Sequence, residues 1–322
     1  MTYHVEFVLG NLSRGIFEIS DLTVFFGHIG SGKTLFLRIF HDAVSFSKSM
    51  GSPVESELND LAEMFGNIEI KVKGEKADLH LKCIAGRDTE EPSCYYENDK
   101  REFDRKTYMI PYYFDTLLRF SMLYPLQPSD AEFIFSVINF LTPRTRERKI
   151  HPYIKEILDK LEDKLFSRRF VVKGRRFIER IDVGREIPAI YSASSYLRSG
   201  LLINILIYLA SQPQQSLVLI DEPDIGLHPI AMKQLALFLH VIARSGTPII
   251  LITHSLLFLD MLRRVDKIAR ELDVDVEPVN MALIITERSK TKTSKTRYEI
   301  KNIDPMSSAI ESYTDEIVDL YN

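Results

Sequence analysis

The sequence predicts an α/β fold with a parallel core sheet, an antiparallel β-region in its amino-terminal part and an inserted helical lobe. Three observations carry this expectation. Uniformly apolar runs alternate with segments of helical spacing: LTVFFG precedes TLFLRIFHDAV, SLVLI precedes PIAMKQLALFLHVIARS, and PIILIT precedes LLFLDMLRRVDKIAREL. Apolar strands separated by helices belong to a parallel sheet covered on both faces. Between Asn67 and Pro111 the period changes to two, in NIEIKVKG, ADLHLKCIAG, SCYYEND and KTYMIP, which predicts antiparallel strands. From Tyr112 to Lys164, FDTLLRFSML, DAEFIFSVINFL and HPYIKEILDKLEDKLF place apolar residues three or four apart, which predicts a helical lobe.

Taken in order, YHVEFVL, GIFEI and LTVFFG read as three strands, and the helix TLFLRIFHDAV follows a glycine loop. SPVESELNDLAEMF suggests a second helical piece. RRFVVKGRRFIERIDV reads as a hairpin around Lys173 and Gly174. A helix from about Leu197 then leads into the strand and helix alternation, and DPMSSAIESYTDEIVDLYN reads as a final helix. The expected segments are an amino-terminal lobe over 1–111, the helical lobe over 112–168 and a carboxyl-terminal lobe over 169–322.

Composition narrows the function classes. Of the 322 residues, 45% are hydrophobic and 27% charged, so the chain can bury a large core. A net charge of -4 excludes a global field that attracts nucleic acid or anionic lipid and leaves only local contacts. Cys83 and Cys94 could pair, but two cysteines do not make a disulfide framework, and a reducing compartment is the simpler reading. MTYHVEFVLGNLSRG lacks the basic region and cleavage site of a signal peptide. LLINILIYLA falls well short of the roughly 20 apolar residues that span a bilayer. No membrane attachment and a cytoplasmic location are the expectations.

GHIGSGKT fits the phosphate-loop pattern G-x-x-x-x-G-K-[ST] between an apolar strand and a helix. Its residues Gly27, His28, Ile29, Gly30, Ser31, Gly32, Lys33 and Thr34 are candidate ATP contacts. Gly30 and Gly32 let backbone N–H groups turn toward phosphate oxygens at the positive end of a helix. Lys33 should reach the β- and γ-phosphates, and Thr34 should ligate magnesium. SLVLIDEP sets Asp221 and Glu222 at a strand's carboxyl end, where open α/β sheets bind ligands. Asp221 suits Mg2+, held through a water, and Glu222 could orient or deprotonate the attacking water. PIILITHS brings His254 to the same sheet edge, where it could meet the γ-phosphate or act as a structural hydrogen-bonding residue.

GHIGSGKT, LVLIDEPDIGLHP and ILITHS, in that order, resemble the ATP-binding-cassette ATPases, in particular the soluble branch of SMC, RecF-like and OLD-like proteins. The resemblance implies an ABC-ATPase head that hydrolyses Mg2+-ATP with Glu222, His254 and Lys33 in the catalytic set. It further implies a homodimer that sandwiches ATP, one head's signature motif touching the γ-phosphate held by the other. YSASSYLRSG occupies that signature position, with Ser194 and Ser195 matching its serines, Arg198 a following basic residue, and Tyr196 in place of the usual glycine. Either serine could meet phosphate or simply cap a helix. Asp224 to His228 match the stretch that crosses the dimer interface, and His228 could equally stabilise a turn before Pro229. No glutamine-loop residue is assigned.

From Pro143 to Arg180 there are 13 Lys and Arg against 6 Asp and Glu, so DNA through 143–180 is one candidate partner and a separate effector protein another. A solvated helix laced with i,i+4 ion pairs accounts for the same charges. The sequence shows no nuclease motif or long heptad tract. Besides an ATP-driven switch on DNA or a protein partner, the readings are a non-catalytic nucleotide-dependent interaction module and, disfavoured by DEPDIGLHP, a transporter ATPase subunit.

Overall fold

The computed structural model describes residues 3–10, 12–27, 30–46, 53–86, 91–110, 151–165, 169–173, 176–182, 185–188, 194–211, 216–290 and 296–303. The predicted helical pieces within 112–150 and the expected final helix lie outside these residues.

The amino-terminal strands form as expected: β1 (Tyr3–Leu9), β2 (Ser13–Ile19) and β3 (Leu22–Gly27). Helices α1 (Lys33–Phe46) and α2 (Pro53–Phe65) follow, then strands β4 (Ile68–Gly74), β5 (Ala77–Ile84), β6 (Ser93–Phe103) and β7 (Lys106–Ile110). Helix α3 (Pro152–Leu165) is the described part of the expected helical lobe. Strands β8 (Arg169–Lys173), β9 (Arg176–Asp182) and β10 (Arg185–Pro188) form a separate antiparallel sheet, the predicted hairpin extended by one strand.

The carboxyl-terminal part comprises α4 (Ser194–Ala210), β11 (Ser216–Asp221), α5 (Pro229–Arg244), β12 (Ile249–Ile252), α6 (Leu256–Arg263), α7 (Val265–Glu271), β13 (Met281–Lys290) and β14 (Thr296–Ile303). The single helix read from LLFLDMLRRVDKIAREL is two, because the backbone leaves helical geometry at Arg264 (φ -110, ψ 32).

Among the described residues, eleven strands form one sheet in the order β6-β5-β4-β1-β2-β14-β13-β3-β12-β11-β7. From β13 to β7 every pairing is parallel, whereas β2, β1, β4, β5 and β6 pair antiparallel. The antiparallel region therefore continues the core sheet. KTYMI, read with the antiparallel strands, instead pairs in parallel with β11 at its far edge. Its short alternation carries no information about which strand it will meet.

Both faces of the core strands are buried. Val24, Phe26, Val218, Ile220, Ile249 and Leu251 pack toward the α3 to α7 side. Their alternates Phe25, Leu217, Leu219, Ile250 and Ile252 pack with α1 and α2. Across β5 and β6, Cys83 stands opposite Cys94 and the two form a disulfide, although composition favoured free thiols. Among the described residues, no helix is long and apolar enough to cross a membrane.

Candidate nucleotide site

The site lies where helix connections change faces. The loop after β3 leads to α1 on one face, whereas the turns after β11 and β12 lead to α5 and α6 on the other. Such a switch point opens a crevice at the carboxyl ends of the strands. Register brings the reactive ends to one level: Asp221 is beside Ile252, and Ile252 is beside Phe25. Residues separated by nearly two hundred positions in the chain thus meet.

Gly27, Gly30 and Gly32 have φ values of 135, 78 and 84 degrees, the left-handed range that a glycine enters without penalty. His28 and Ile29 lie outside the described residues. The loop's turn lets Lys33 double back. Its Nζ donates to the Gly27 carbonyl at 3.0 Å and to Ser31 Oγ at 2.9 Å. Burial pushes the Lys33 pKa down to about 8, against the opposing pull of Glu222 and Asp221.

Thr34 Oγ1 donates to Asp221 Oδ1 at 3.1 Å. Neighbouring oxygens around a small octahedral cation stand about 3 Å apart, so the hydroxyl and carboxylate fit Mg2+ in spacing and chemistry. Burial pushes the Asp221 pKa up to about 6 while the Thr34 hydrogen bond pulls the other way. A buried ammonium and a buried carboxyl, each displaced toward its neutral form, suit a site completed by phosphate and a cation.

Glu222 adopts φ 45 degrees, a conformation rare for a side-chain-bearing residue. The fold holds it there from both sides. Its N–H donates to the Ile252 carbonyl at 3.1 Å, and Arg198 Nη2 donates to its carbonyl at 3.0 Å. Strained backbone persists where surroundings over-determine it. The turn carries the Glu222 carboxylate to 3.3 Å from His254 Nε2, with the two side chains 24% and 30% exposed, enough for a ligand to reach them. Burial, reinforced by Lys33, holds the His254 pKa below its ordinary value and favours neutral imidazole.

Behind this pair, Thr253 Oγ1 donates to Asp224 Oδ1 at 2.8 Å and accepts from the Ser255 N–H at 3.0 Å. Burial raises the Asp224 pKa despite the Thr253 bond. His228 is the N-cap of α5, its Nδ1 accepting from the Ile230 N–H at 3.3 Å, with Pro229 in the first turn. Ser194 and Ser195 open α4, four and three residues before Arg198. Sequence reasoning noted Arg198 as a matching basic residue but missed its grip on the Glu222 carbonyl and the Asp224–Thr253 link. Neither contact has a local pattern, because each joins segments far apart in the chain.

Residues 199–260 match the family described as "AAA domain, putative AbiEii toxin, Type IV TA system". This stretch runs from α4 through both later strand ends of the site. No curated protein matches the sequence. Among solved structures, the SMC head domain from Thermotoga maritima is similar at 13% identity, covering 94% of this chain and 98% of that one with a TM-score of 0.51. An SMC head bound to the C-terminal winged-helix domain of ScpA is similar at 12% identity, 96% and 98% coverage and a TM-score of 0.57. The Pyrococcus furiosus SMC head with an extended coiled coil, bound to the C-terminal domain of ScpA, is similar at 9% identity, covering 100% of both chains with a TM-score of 0.54. The longest helix among the described residues has 17 residues, so those residues include no coiled-coil arm. The chain has the fold of an SMC head domain.

Proposed function

We propose that this chain binds Mg2+-ATP, hydrolyses it and uses the cycle to switch between an open monomer and a closed head-to-tail homodimer that acts on a partner. One observation carries the reading: Lys33, Thr34, Asp221, Glu222 and His254 converge on one sheet end, with Glu222 held in a left-handed turn beside His254. Lys33 neutralises phosphate charge, while Thr34 and Asp221 hold Mg2+. The bound ion supplies charge neutralisation at the phosphate oxygens. Glu222 orients the attacking water and accepts its proton, and neutral His254 lies within reach of the γ-phosphate.

Dimer closure has its own support. Ile225, Ile230 and Leu257 are 44%, 61% and 49% exposed, and they lie in the turn after β11 and in the first turns of α5 and α6, beside the site. Apolar side chains exposed next to polar chemistry suit a surface that is covered for part of a cycle. In this reading, Ser194 and Ser195 of one head approach the γ-phosphate held by the other.

Glu222→Gln should bind ATP, lose at least two orders of magnitude in turnover and accumulate as a dimer. Light scattering and phosphate release on the same samples check both. A Glu222→Gln chain that turns over normally, or stays monomeric with ATP bound, refutes the switch. Tyr196 at the signature's glycine position favours a second reading, a non-catalytic nucleotide-dependent module. Tight ATP binding with no turnover in the wild-type chain would select it.

A further inference from the structure

We propose that Cys83 and Cys94 are a reversible dithiol–disulfide site, opened by a dithiol reductant and closed by a small-molecule disulfide, whose state sets how firmly α1 presents the phosphate loop. The link to nucleotide rests on the site proposed above; the exchange itself does not. β6 is the outermost strand of the large sheet, and β5 is its one strand neighbour among the described residues. Their ladder is interrupted: Leu79 stands opposite Arg101 and Leu81 opposite Tyr96, so β6 passes five residues where β5 passes two. On the Cys94 side of that irregularity only Ser93–Tyr96 are paired, opposite Leu81–Ile84. A ladder this short at a sheet edge is prone to local opening. The disulfide between the directly opposed Cys83 and Cys94 is the covalent tie across it.

What this short ladder holds is Tyr96. Alternate residues of a strand share a face, so Tyr96 lies on the same side as Cys94, in the buried cluster that contains Phe36 and Phe40 of α1. Its hydroxyl donates to the Ala43 carbonyl. Ala43 is in the last turn of α1, where the final four carbonyls have no partner within the helix. Tyr96 thus closes the far end of the helix whose first two residues are Lys33 and Thr34. Beyond the irregularity, Phe103 keeps its ring 6.1 Å from that of Phe40, so reduction loosens α1 without releasing it.

Cys83 is 1% exposed and Cys94 8%, so an incoming thiolate meets Cys94 first as the edge opens. It attacks Cys94 Sγ; the bond between the two cysteine sulfurs breaks, and its electron pair leaves on Cys83 Sγ, which takes up a proton. The second thiolate of the reductant then attacks the reductant's own sulfur in the mixed disulfide and releases Cys94, which is protonated in turn. The cystine gains two electrons and two protons, and the dithiol is oxidised to its cyclic disulfide. Closure by a small disulfide runs the same exchange in reverse, leaving two reduced small thiols.

The folded full chain is treated with dithiothreitol, its thiols are alkylated and counted by mass spectrometry, and a second portion is reoxidised with oxidised glutathione. Two alkylated cysteines should appear after reduction and none before it. Without nucleotide, the reduced chain should melt lower by on the order of 5 °C, and reoxidation should restore the melt. Its affinity for a fluorescent ATP analogue should fall roughly twofold to tenfold, the scale of one buried hydrogen bond. Tyr96→Phe, with the disulfide intact, should lose affinity to the same extent, and reduction should then add little. Cys83→Ala/Cys94→Ala should match the reduced chain and ignore dithiothreitol. Thiols that become alkylated only after denaturation, or a reduced chain with an unchanged melt, would overturn the site. A reduced chain that melts lower yet binds the analogue as before would overturn the link to α1. If the oxidised chain binds no analogue, the nucleotide reading falls and that link with it, while the exchange and melting results stand by themselves.

Discussion

Asp221 shows how the site's chemistry acts on stability. Its pKa is raised from 3.8 to about 6 because burial penalises the carboxylate. Between these values the folded chain holds a proton that the unfolded chain has released, so ionisation costs stability as pH rises through that window. Asp221→Asn removes this cost. In the absence of ligand at pH 7 the variant should melt above wild type, and its advantage should vanish as pH falls from about 6 to about 4. The same substitution should abolish the magnesium dependence of ATP binding. Thermal melts across pH and nucleotide titrations with and without Mg2+ measure the two halves of this trade. Lys33 and Thr34 were legible as candidates from the glycine pattern of GHIGSGKT, and Asp221, Glu222 and His254 because they follow the ends of apolar runs. Arg198's partner was not, since Glu222 lies 24 residues further along the chain.

At the scale of elements, α1 joins the phosphate loop to the core. Phe36, three residues beyond Lys33, is 1% exposed and has its ring 4.6 Å from that of Phe7, 5.3 Å from Phe25 and 5.4 Å from Phe17. Phe36→Ala should cost about 3–5 kcal/mol, read by chemical denaturation. It should also weaken ATP binding, because the helix that aims Lys33 loses its anchor. The pattern of α1 was readable from apolar spacing alone. The antiparallel region and the hairpin were readable too, from period-two alternation. Strand neighbours were not. β7 resembles its predecessors in sequence, yet it pairs with β11 more than a hundred residues later, and only long-range packing selects that partner. The cysteines show the same limit: their pairing follows from the β5–β6 register, which their number does not reveal.

For the whole molecule, nucleotide and fold stability are linked. The burial costs at Lys33 and Asp221 are offset when phosphate and cation arrive, so saturating Mg2+-ATP should stabilise the chain by about 2.7 kcal/mol at a hundredfold excess over Kd. Differential scanning calorimetry should show a higher Tm with ligand, and Lys33→Ala should show none of that rise. The fold class was visible in the alternation of strand and helix at the two ends of the chain. How those ends interlock was not visible, because no local pattern states strand order.

That interlocking has a consequence in time. β3, which carries the phosphate loop, is flanked in the sheet by β12 on one side and β13 on the other, and both are made well after it during synthesis. β2 likewise gains its second neighbour only when β14 emerges. A ribosome therefore releases the phosphate loop long before any strand exists to hold it in register, and pairing across such separations is slow. The candidate site is thus completed late in the life of each chain, because Asp221 and His254 follow strands made long after the phosphate loop.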